Sequence, residues 1–423
     1  MAEPEIRKLE PDAAEFLKAP ALLAVFDALE AAGGKVRVNG GAVRNALMGE
    51  PVSDIDLSTD LVPSAVMEAA EAAGLKCVPT GLDHGTVTIV SHGEAFEVTT
   101  LRQDIETDGR HAVVRFGTDW HADALRRDFT VNAIYADRDG TLTDYVGGLD
   151  DIQTRTIRFI GDAGQRIAED HLRILRLFRF FAWYGPERVG RPDADALRAS
   201  TRMKSDLANL SVERIWKELR KLLAAPDPSK SLLWMRTTGV LSIVLPESEK
   251  WGIDAIHGLV EAERDCTWEP DALLRLASIV PLRSDDLAAL GKRLRISNAD
   301  RQALLDMAAL ATPNGDVSAG EWRERLYRSD KTALMRRLKL AAAVTAARGD
   351  GEAAAKLIAQ LEEARTFAKP VFPLTGADLM AVGAQQGPRL GEQLAQLETI
   401  WLESDFKLSR DELLAQASQS QAD

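Results

Sequence analysis

The stretch from Gly40 to Leu57 constrains this chain more than any other, because it combines two features that phosphate chemistry requires. Gly40 and Gly41 end a short apolar strand and begin a helical run over residues 42–48. Adjacent glycines let the backbone approach a ligand closely, and a helix N-terminus offers free N–H groups to an anion. A simple turn can have the same pattern. Because an acidic pair follows these glycines, the pattern here favours phosphate binding.

Asp54 and Asp56 form that acidic pair. A strand is predicted over residues 54–58, and its period of two places both carboxylates on one face. Two carboxylates at this spacing can hold divalent metal ions, and a two-metal site stabilises the attacking and the leaving oxygen of an in-line phosphoryl displacement. Surface charge or helix capping explains such a pair when it stands alone. Next to the glycine turn, the pair indicates phosphoryl transfer.

A third carboxylate, Glu97, lies in a predicted strand over residues 94–101. This strand forms a predicted hairpin with residues 85–91 around a turn at His92 and Gly93. Glu97 can complete the metal site or take a proton from an attacking hydroxyl. The alternative is an exposed glutamate on an edge strand.

Short strand patterns dominate the chain up to Gly161, and long amphipathic helical patterns replace them afterwards. The fold class is therefore α+β: a head domain with a mixed sheet and helices, followed by an all-helical remainder. Strands are predicted at 35–39, 54–58, 75–79, 85–91, 94–101, 112–117, 141–145 and 156–160. Helices are predicted at 11–32, 42–48, 63–73, 121–136, 165–184, 212–223, 271–280 and 390–402.

Composition limits the classes of protein to which the chain can belong. Its 423 residues are too many for one ordinary core and predict about two to four domains. A hydrophobic share of 45% and a charged share of 28% are normal for a soluble globular protein, without a signal peptide or a membrane-spanning run. Cys77 and Cys266 form no metal-binding spacing, which predicts reduced thiols and a cytoplasmic location.

The net charge of −13 argues at first against a nucleic-acid partner, because phosphate binding leaves a basic footprint. The charge is uneven, however, since residues 166–230 hold 14 Lys and Arg against 9 Asp and Glu. The composition therefore permits an RNA substrate without predicting one.

The segment Arg126-Arg127-Asp128-Phe-Thr-Val-Asn132 lies in the predicted helix over residues 121–136. On a helix, Asp128 and Asn132 share a face, where they can hold a sugar hydroxyl while Arg127 reaches a triphosphate. A guanidinium suits phosphate because its donors form a rigid fork. Paired arginines on an exposed helix face otherwise serve only solubility.

The predicted helix over residues 165–184 carries Asp170, Arg173 and Arg176 at every third position, with apolar residues between them. A basic amphipathic helix with local ion pairs is the simpler interpretation. A second interpretation of this helix, base recognition, comes from the family resemblance described next.

These motifs resemble those of the polymerase-beta nucleotidyltransferase superfamily, and more narrowly the bacterial class II tRNA nucleotidyltransferase and poly(A) polymerase family. The family pattern Gly-Gly-x-Val-Arg followed by Asp-x-Asp fits residues 40–56, and Arg-Arg-Asp-Phe-Thr-x-Asn-Ala fits residues 126–133. Glu-Asp-x-x-Arg, the base-selecting element of the family, fits residues 169–173. The chain departs from the pattern at Asn45, where the family usually carries Asp. The resemblance is dense over residues 36–240.

The resemblance implies Mg²⁺ as the cofactor, held by Asp54 and Asp56, with an acidic residue such as Glu97 on the following hairpin. It also implies that Asp170 and Arg173 select CTP or ATP. A carboxylate can accept from the exocyclic amine that cytosine and adenine both present, while arginine donates to a ring nitrogen or carbonyl, so that uracil and guanine are rejected. The other nucleotide-binding residues that it implies are Gly40, Gly41, Arg44, Arg127, Asp128, Asn132, Arg176 and Arg179.

Arg214, Glu218, Gly239 and the run over residues 84–87 resemble CCA-adding enzymes more than poly(A) polymerases. In the family, a mobile loop corresponding to residues 102–118 is needed for the final adenosine, and the loop is full length here. The resemblance therefore implies addition of C, C and A to tRNA 3′ ends. A poly(A) polymerase, an enzyme that adds only CC or only A, and a non-catalytic RNA-binding relative are the alternatives.

The implied organisation is an N-terminal helix (1–34), a catalytic nucleotidyltransferase head (35–161), a helical neck that selects the nucleotide and binds RNA (162–240), and a helical body and tail that bind tRNA (241–423). Expected partners are the acceptor arm and 3′ end of tRNA, with CTP and ATP. Neither a membrane nor an obligate protein partner is expected.

Overall fold

The computed structural model of the chain describes residues 3–107, 112–186, 190–249 and 253–419, with the side chains at 83, 103–107, 112–114 and 419 left out. The chain divides into two compact units, and the boundary falls between Pro246 and Glu247. The first unit contains strands and helices and the second is helical over its described residues, so the predicted α+β class is confirmed. The four-part division into N-terminal helix, head, neck and body stays a prediction.

Ten strands are present in the described part of the first unit: β1 (Glu5–Lys8), β2 (Val36–Asn39), β3 (Asp56–Thr59), β4 (Lys76–Gly81), β5 (Thr86–Ser91), β6 (Glu94–Thr100), β7 (Arg102–Thr107), β8 (Ala112–Phe116), β9 (Ile134–Ala136) and β10 (Thr141–Asp144). Eight of them form one mixed sheet in the order β1-β10-β9-β2-β3-β6-β5-β4. β3 and β6 run parallel, and the other neighbours are antiparallel. β7 and β8 form a separate hairpin.

The centre of the sheet brings the glycine turn close to the acidic pair. β2 is buried along its whole length and pairs with β3, so that Asn39 lies opposite Asp56. The predicted hairpin of β5 and β6 is confirmed, with positive φ angles at His92 and Gly93 that suit a tight two-residue turn. The first residue of β3 and the turn that follows β2 therefore lie at the same edge of the sheet.

Two strand predictions are wrong. The strand predicted over residues 54–58 begins at Asp56, so Asp54 lies before it and the period-of-two argument does not apply to Asp54. Residues 156–160 form no strand, and only a single bridge links Phe159 to Phe129. The sequence also gives no sign of β1, because its charged residues lack an apolar pattern; pairing with β10 makes it a strand.

The helices of the described first unit are α1 (Pro20–Ala31), α2 (Gly41–Met48), α3 (Pro63–Ala72), α4 (Trp120–Leu125), α5 (Gly148–Gln153), α6 (Ala163–Glu169), α7 (Leu172–Tyr184), α8 (Ala194–Met203), α9 (Val212–Leu223), α10 (Ser229–Thr238) and α11 (Val240–Val244). Those of the described second unit are α12 (Asp254–Asp265), α13 (Ala272–Ile279), α14 (Ser284–Arg293), α15 (Asn298–Ala309), α16 (Ala319–Arg328), α17 (Lys331–Ala347), α18 (Gly351–Thr366), α19 (Gly376–Ala381), α20 (Pro388–Glu403) and α21 (Arg410–Gln419). Over the same ranges, no helix combines the length and the apolar character that crossing a membrane requires.

The second unit contains a buried ion pair between two of its helices. Arg275 on α13 is 1% exposed and Glu263 on α12 is 4% exposed, and the Arg275 Nη2 atom lies 2.7 Å from Glu263 Oε2. Burial raises the pKa of Glu263, while the bonds from the guanidinium act in the opposite direction. The core of this unit therefore encloses a matched pair of charges.

Candidate functional site

A cavity of about 510 Å³ lies in the first unit beside the glycine turn. All ten residues that are predicted to bind the nucleotide line it: Gly40, Gly41, Arg44, Arg127, Asp128, Asn132, Asp170, Arg173, Arg176 and Arg179. Asp56 lines it as well, together with Leu172, Phe180 and Arg214. Asp54 and Glu97 are outside the lining. The ten predicted residues therefore come from three segments that are distant in sequence, residues 40–44, 127–132 and 170–179, and these segments surround one space.

The glycine turn is formed by backbone that suits glycine. Gly40 has a φ of 66° and directly precedes α2. A β-carbon on Gly40 would lie 3.8 Å from Asp56 Oδ2, and one on Gly41 would lie 3.7 Å from Arg44 Nη2. Because glycine has no side chain, the space between the turn, the Asp56 carboxylate and the Arg44 guanidinium stays open to a ligand.

Asp56 is the acidic residue that the structure places at the cavity. Its register partner on the parallel strand β6 is Glu97, and registered neighbours project to the same face of a sheet. Partial burial, the negative charge of Glu97 and, to a smaller extent, that of Asp54 outweigh the positive charge of Arg127 and together raise the pKa of Asp56 to about 6. Asp54 and Glu97 are themselves exposed. The three carboxylates are therefore electrostatically coupled.

The donor set at Asp56 fits a divalent cation. Among the residues that the structure describes, no three His, Cys, Asp or Glu side chains gather into a metal-binding group. Mg²⁺ does not require such a cage, since it is typically bound by one or two carboxylates, substrate phosphates and water. A cation between Asp54 and Asp56 would also compensate the like charges that raise the Asp56 pKa. Two hard oxygen donors beside the glycine turn meet these requirements.

Arg127 is held by a buried network that the sequence does not predict. Its guanidinium donates to Asp123 Oδ2 at 3.0 and 3.2 Å, to Asn39 Oδ1 at 2.8 Å and to Ser58 Oγ at 3.2 Å. The hydroxyl of Tyr135 donates to the same Asp123 oxygen at 2.7 Å. Although burial alone lowers the pKa of Arg127, the neighbouring Tyr135 and Asp123 raise it overall. Arg127 is thus a fixed positive charge at the cavity wall.

The predicted single helix over residues 121–136 is wrong. α4 ends at Leu125. Arg127, two residues later, bonds Asn39 and Ser58 of the sheet, and these non-local contacts take the chain out of the helix. A 3-10 turn and β9 follow. Asp128 and Asn132 nevertheless meet, since Asn132 Nδ2 donates to Asp128 Oδ1 at 3.1 Å.

Asp128 connects this segment to α7. Arg176 Nε donates to Asp128 Oδ2 at 2.8 Å, and a second bond comes from Arg176 Nη2. Burial alone would raise the pKa of Asp128, but Arg176 and the hydrogen bond from Asn132 outweigh burial and hold it at about 2. On the other side, Asn132 Oδ1 accepts from Arg44 Nη1 at 2.5 Å. One chain of polar contacts therefore links the glycine-turn helix to α7.

The predicted helix over residues 165–184 is interrupted at Asp170. Asp170 has extended backbone, with φ −155° and ψ 106°, and separates α6 from α7. Its Oδ1 atom accepts from the Leu172 N–H at 3.1 Å and its Oδ2 atom accepts from Arg214 Nη2 at 2.7 Å. Arg173 donates to the Arg166 carbonyl at 2.8 Å and to Glu169. Asp170 and Arg173 therefore reach the cavity from a helix break, where two neighbours orient them.

Phe180 is a cavity residue that the sequence analysis misses. Its ring centroid lies 4.5 Å from the Arg179 guanidinium carbon, 5.2 Å from that of Arg44 and 5.4 Å from that of Arg176. Phe180 is buried, and Arg179 is held from its other side by Glu218 at 2.5 Å. The position of Phe180 directly after Arg179 is a signal that could have found it. Asp123 has a similar signal, three and four residues before Arg126 and Arg127.

Asp123→Asn is expected to lower the free energy of unfolding at pH 7 by at least about 2 kcal/mol. Burial opposes ionisation of Asp123, but Arg127 and Arg126 outweigh burial and lower its pKa from 3.8 to about 2. Between about pH 2 and pH 3.8, the unfolded chain therefore binds more protons than the folded chain. The stabilisation is complete above about pH 4 and disappears as the pH falls towards 2.

Urea denaturation of both proteins at pH 7, 5 and 3 measures this effect, and the gap in unfolding free energy should narrow at the lowest pH. The exposed Asp27 of α1 provides the control variant Asp27→Asn, which should behave like the unmodified protein. A gap that stays constant with pH would contradict the ionised Asp123.

Two family models match parts of the chain. The Poly A polymerase head domain matches residues 36–158, and the model described as the probable RNA and SrmB-binding site of polymerase A matches residues 191–251. Among curated relatives, the mitochondrial CCA tRNA nucleotidyltransferase 1 of Mus musculus is 35% identical over 388 residues, 90% of this chain and 86% of the relative. The CCA-adding enzyme of Levilactobacillus brevis is 30% identical over 376 residues, 88% of this chain and 91% of the relative.

Solved structures share the fold along the whole chain. The crystal structure of the Bacillus stearothermophilus CCA-adding enzyme in complex with CTP matches with a TM-score of 0.71 and 28% identity, covering 98% of both chains. The Thermotoga maritima CCA-adding enzyme complexed with tRNA matches with a TM-score of 0.67 at 19% identity, covering 99% of this chain and 100% of that one. The second likeness concerns the fold alone.

Proposed function

This chain belongs to the family of CCA-adding tRNA nucleotidyltransferases, and from that premise we propose that it adds C, C and A to the 3′ end of tRNA. The nucleotides come from CTP and ATP, no nucleic-acid template is used, and pyrophosphate is released. Relatives that bear this name match about nine-tenths of the chain. The observation that carries the proposal is the single cavity that Asp56 shares with the glycine turn, Asp170 and six arginines.

Asp54 and Asp56 are proposed to hold Mg²⁺, with Glu97 as a neighbouring base. The metal, when bound, lowers the barrier by stabilising charge on the attacking and leaving oxygens. In this arrangement Gly40 and Gly41 give the triphosphate close access to backbone N–H groups at the start of α2. The rigid charge of Arg127, fixed by Asp123, faces the same space. These residues bind and orient the phosphates.

Asp170 and Arg173 are proposed to choose the base. The Asp170 carboxylate is oriented by the Leu172 N–H and by Arg214, so it presents acceptor oxygens in a fixed direction. Cytosine and adenine both offer an amine to such an acceptor, whereas uracil and guanine offer a carbonyl at the corresponding position. Arg176 and Arg179 then position the pair or contact phosphate, and Phe180 packs beneath both guanidinium groups.

The test is to incubate the full chain with a tRNA transcript that ends at the discriminator base, together with all four nucleoside triphosphates, and to sequence the 3′ ends. The expected product ends in CCA. Long adenosine tails without cytidines would indicate a poly(A) polymerase, and products that end in CC or in a lone A would indicate a partial enzyme. Unchanged ends would refute the enzymatic proposal.

Asp170→Asn is expected to reduce the preference for CTP over UTP by about 10- to 100-fold. The amide can turn its NH₂ towards the uracil carbonyl, and one mismatched hydrogen bond in a buried site costs about 1–3 kcal/mol. Single-turnover addition of CTP and UTP to the same transcript measures the ratio. Asp206→Asn removes a half-exposed carboxylate of the same unit and is the control. An unchanged CTP-to-UTP ratio would contradict the base-selecting role.

A cytoplasmic location is also proposed. Its support is chemical: Cys77 and Cys266 are both free thiols in the described chain, as a reducing compartment allows. Fractionation of cells that express the tagged chain tests it, and recovery in an organelle or membrane fraction would overturn it.

A further inference from the structure

The six arginines of the cavity differ in how their charge is compensated. Five of them have a carboxylate partner within the first unit: Arg127 with Asp123, Arg173 with Glu169, Arg176 with Asp128, Arg179 with Glu218 and Arg214 with Asp170. Arg44 is the exception, because no ion pair joins it to any carboxylate in the part of the chain that the structure describes.

Arg44 is buried among neutral partners. It is 6% exposed, and it donates to Asn132 Oδ1 at 2.5 Å, to Asn45 Oδ1 at 2.8 Å and to the Tyr184 hydroxyl at 2.7 Å. Its Nε atom is buried and has no hydrogen-bond partner among the described residues. Burial lowers the pKa of Arg44, but a guanidinium remains charged at neutral pH. Asp128 acts on this charge electrostatically but forms no ion pair with it. A buried charge that no carboxylate contacts directly is costly, so an anion in the cavity gains from meeting it.

Asn45 is the neighbour that distinguishes this chain from the family pattern, which usually has Asp at that position. Its amide acts in two directions: Oδ1 accepts from Arg44 Nη2, and Nδ2 donates to the Pro51 carbonyl at 2.8 Å. Pro51 lies three residues before Asp54 in the segment that leads to β3. A carboxylate at this position can accept from Arg44, but it cannot donate to Pro51.

We propose that Asn45 is a positioning residue for nucleotide binding: its neutral amide aims Arg44 into the cavity without compensating its charge and ties α2 to the segment that carries Asp54. The negative charge of the triphosphate then becomes the counter-charge of Arg44. This inference rests on the proposed function, because it requires a nucleoside triphosphate as the ligand.

Two substitutions separate the two roles of Asn45. Asn45→Asp adds a carboxylate beside Arg44 and removes the donor to Pro51, whereas Asn45→Ala removes both hydrogen bonds without adding charge. We expect Asn45→Asp to weaken binding of CTP and ATP by about tenfold, equally for both, since a local carboxylate competes with the phosphates. Asn45→Ala should weaken binding only about two- to threefold, and kcat should fall in both variants because the tie to Pro51 is lost.

The experiment measures binding of CTP, ATP and inorganic triphosphate to the full chain by calorimetry with Mg²⁺ and without tRNA, alongside kcat and KM for cytidine addition. Asn209→Asp adds the same charge at an exposed position of the first unit and should bind like the unmodified chain. Equal binding by Asn45→Asp and Asn45→Ala would overturn the charge argument. A kcat for Asn45→Ala equal to that of the unmodified chain would refute the role of the hydrogen bond from Asn45 to Pro51. This second test does not depend on whether Asn45→Asp folds.

Failure of the proposed function is distinguishable from failure of this inference. An unmodified chain that binds CTP but adds nothing to tRNA would refute CCA addition, while the binding comparison of the Asn45 variants would still hold. Conversely, if the unmodified chain adds CCA normally and Asn45→Asp binds triphosphate as tightly as the unmodified chain, only the role of Asn45 is refuted.

Discussion

Asp56→Ala is expected to lower kcat for nucleotide addition by about three orders of magnitude, which corresponds to about 4 kcal/mol of lost transition-state stabilisation. Asp56 is the acidic residue at the cavity that lies directly beside the glycine turn, and its register partner is Glu97. Removal of its carboxylate eliminates one of the two proposed metal ligands and leaves the arginines that we propose to bind phosphate unchanged. Binding of CTP in the absence of metal should therefore change little.

The loss should be measured by single-turnover addition to a tRNA transcript over a range of Mg²⁺ concentrations. Asp60→Asn changes a half-buried aspartate just beyond the end of β3 and is the matched control. Addition by Asp56→Ala within tenfold of the unmodified rate would mean that the metal site lies elsewhere.

Asp56→Asn should also stabilise the metal-free protein above pH 6, by about 1 kcal/mol. The pKa of Asp56 is raised from 3.8 to about 6, so the folded chain binds more protons than the unfolded chain between these values. Stability is therefore lost as the pH rises through this window. An amide carries no such penalty, and a variant that is inactive yet more stable in urea at pH 7.5 would demonstrate the effect. Destabilisation at that pH would contradict the like-charge explanation.

Arg275→Met is expected to destabilise the second unit by about 3–5 kcal/mol, because it leaves the Glu263 carboxylate buried without the guanidinium that pairs with it. Arg275 is 1% exposed and bonds Glu263 through both Nε and Nη2. The double variant Arg275→Met and Glu263→Met should recover most of the loss, since apolar side chains of similar volume can replace a buried pair.

Urea unfolding followed by circular dichroism of the full chain measures both variants. Arg365→Met provides the matched control, because Arg365 pairs with Glu362 one turn away on an exposed surface of the same unit. Such a pair contributes at most about 0.5 kcal/mol. Equal losses for Arg275→Met and Arg365→Met, or a double variant worse than the single one, would contradict this account.

The residues around the cavity could largely be identified from sequence because their chemistry is local. Gly40 and Gly41 are identified because a tight turn before a helix requires glycine backbone. A guanidinium or a carboxylate can make the same kinds of polar contact in any local backbone structure. All ten residues predicted to bind the nucleotide line one cavity. The alternation of β5 and β6 likewise reports directly on a half-buried hairpin. Whether these residues bind the nucleotide stays a prediction.

The errors arise where a distant contact decides the backbone. Periodicity extends α7 backward through Asp170, but Asp170 turns out of the helix to receive the Leu172 N–H and Arg214. It also extends α4 through Arg127, whose bonds to Asn39 and Ser58 come from another part of the chain. No local pattern contains partners such as Arg214, Asn39 and Ser58. The strand predicted over residues 112–117 corresponds to β8, whereas its partner β7 is a charged segment that the sequence does not identify as a strand.

The strand order of the sheet also determines when the cavity can exist during synthesis. Val38 of β2 pairs with Ala136 of β9, nearly a hundred residues later, and β1 waits still longer for β10. Such non-local pairings form late and slowly. A nascent chain that has left the ribosome only as far as β6 has its carboxylates but lacks Arg127, Asp128 and Asn132. The cavity that we propose as the nucleotide site is therefore complete only after these residues and those of α7 have been synthesised.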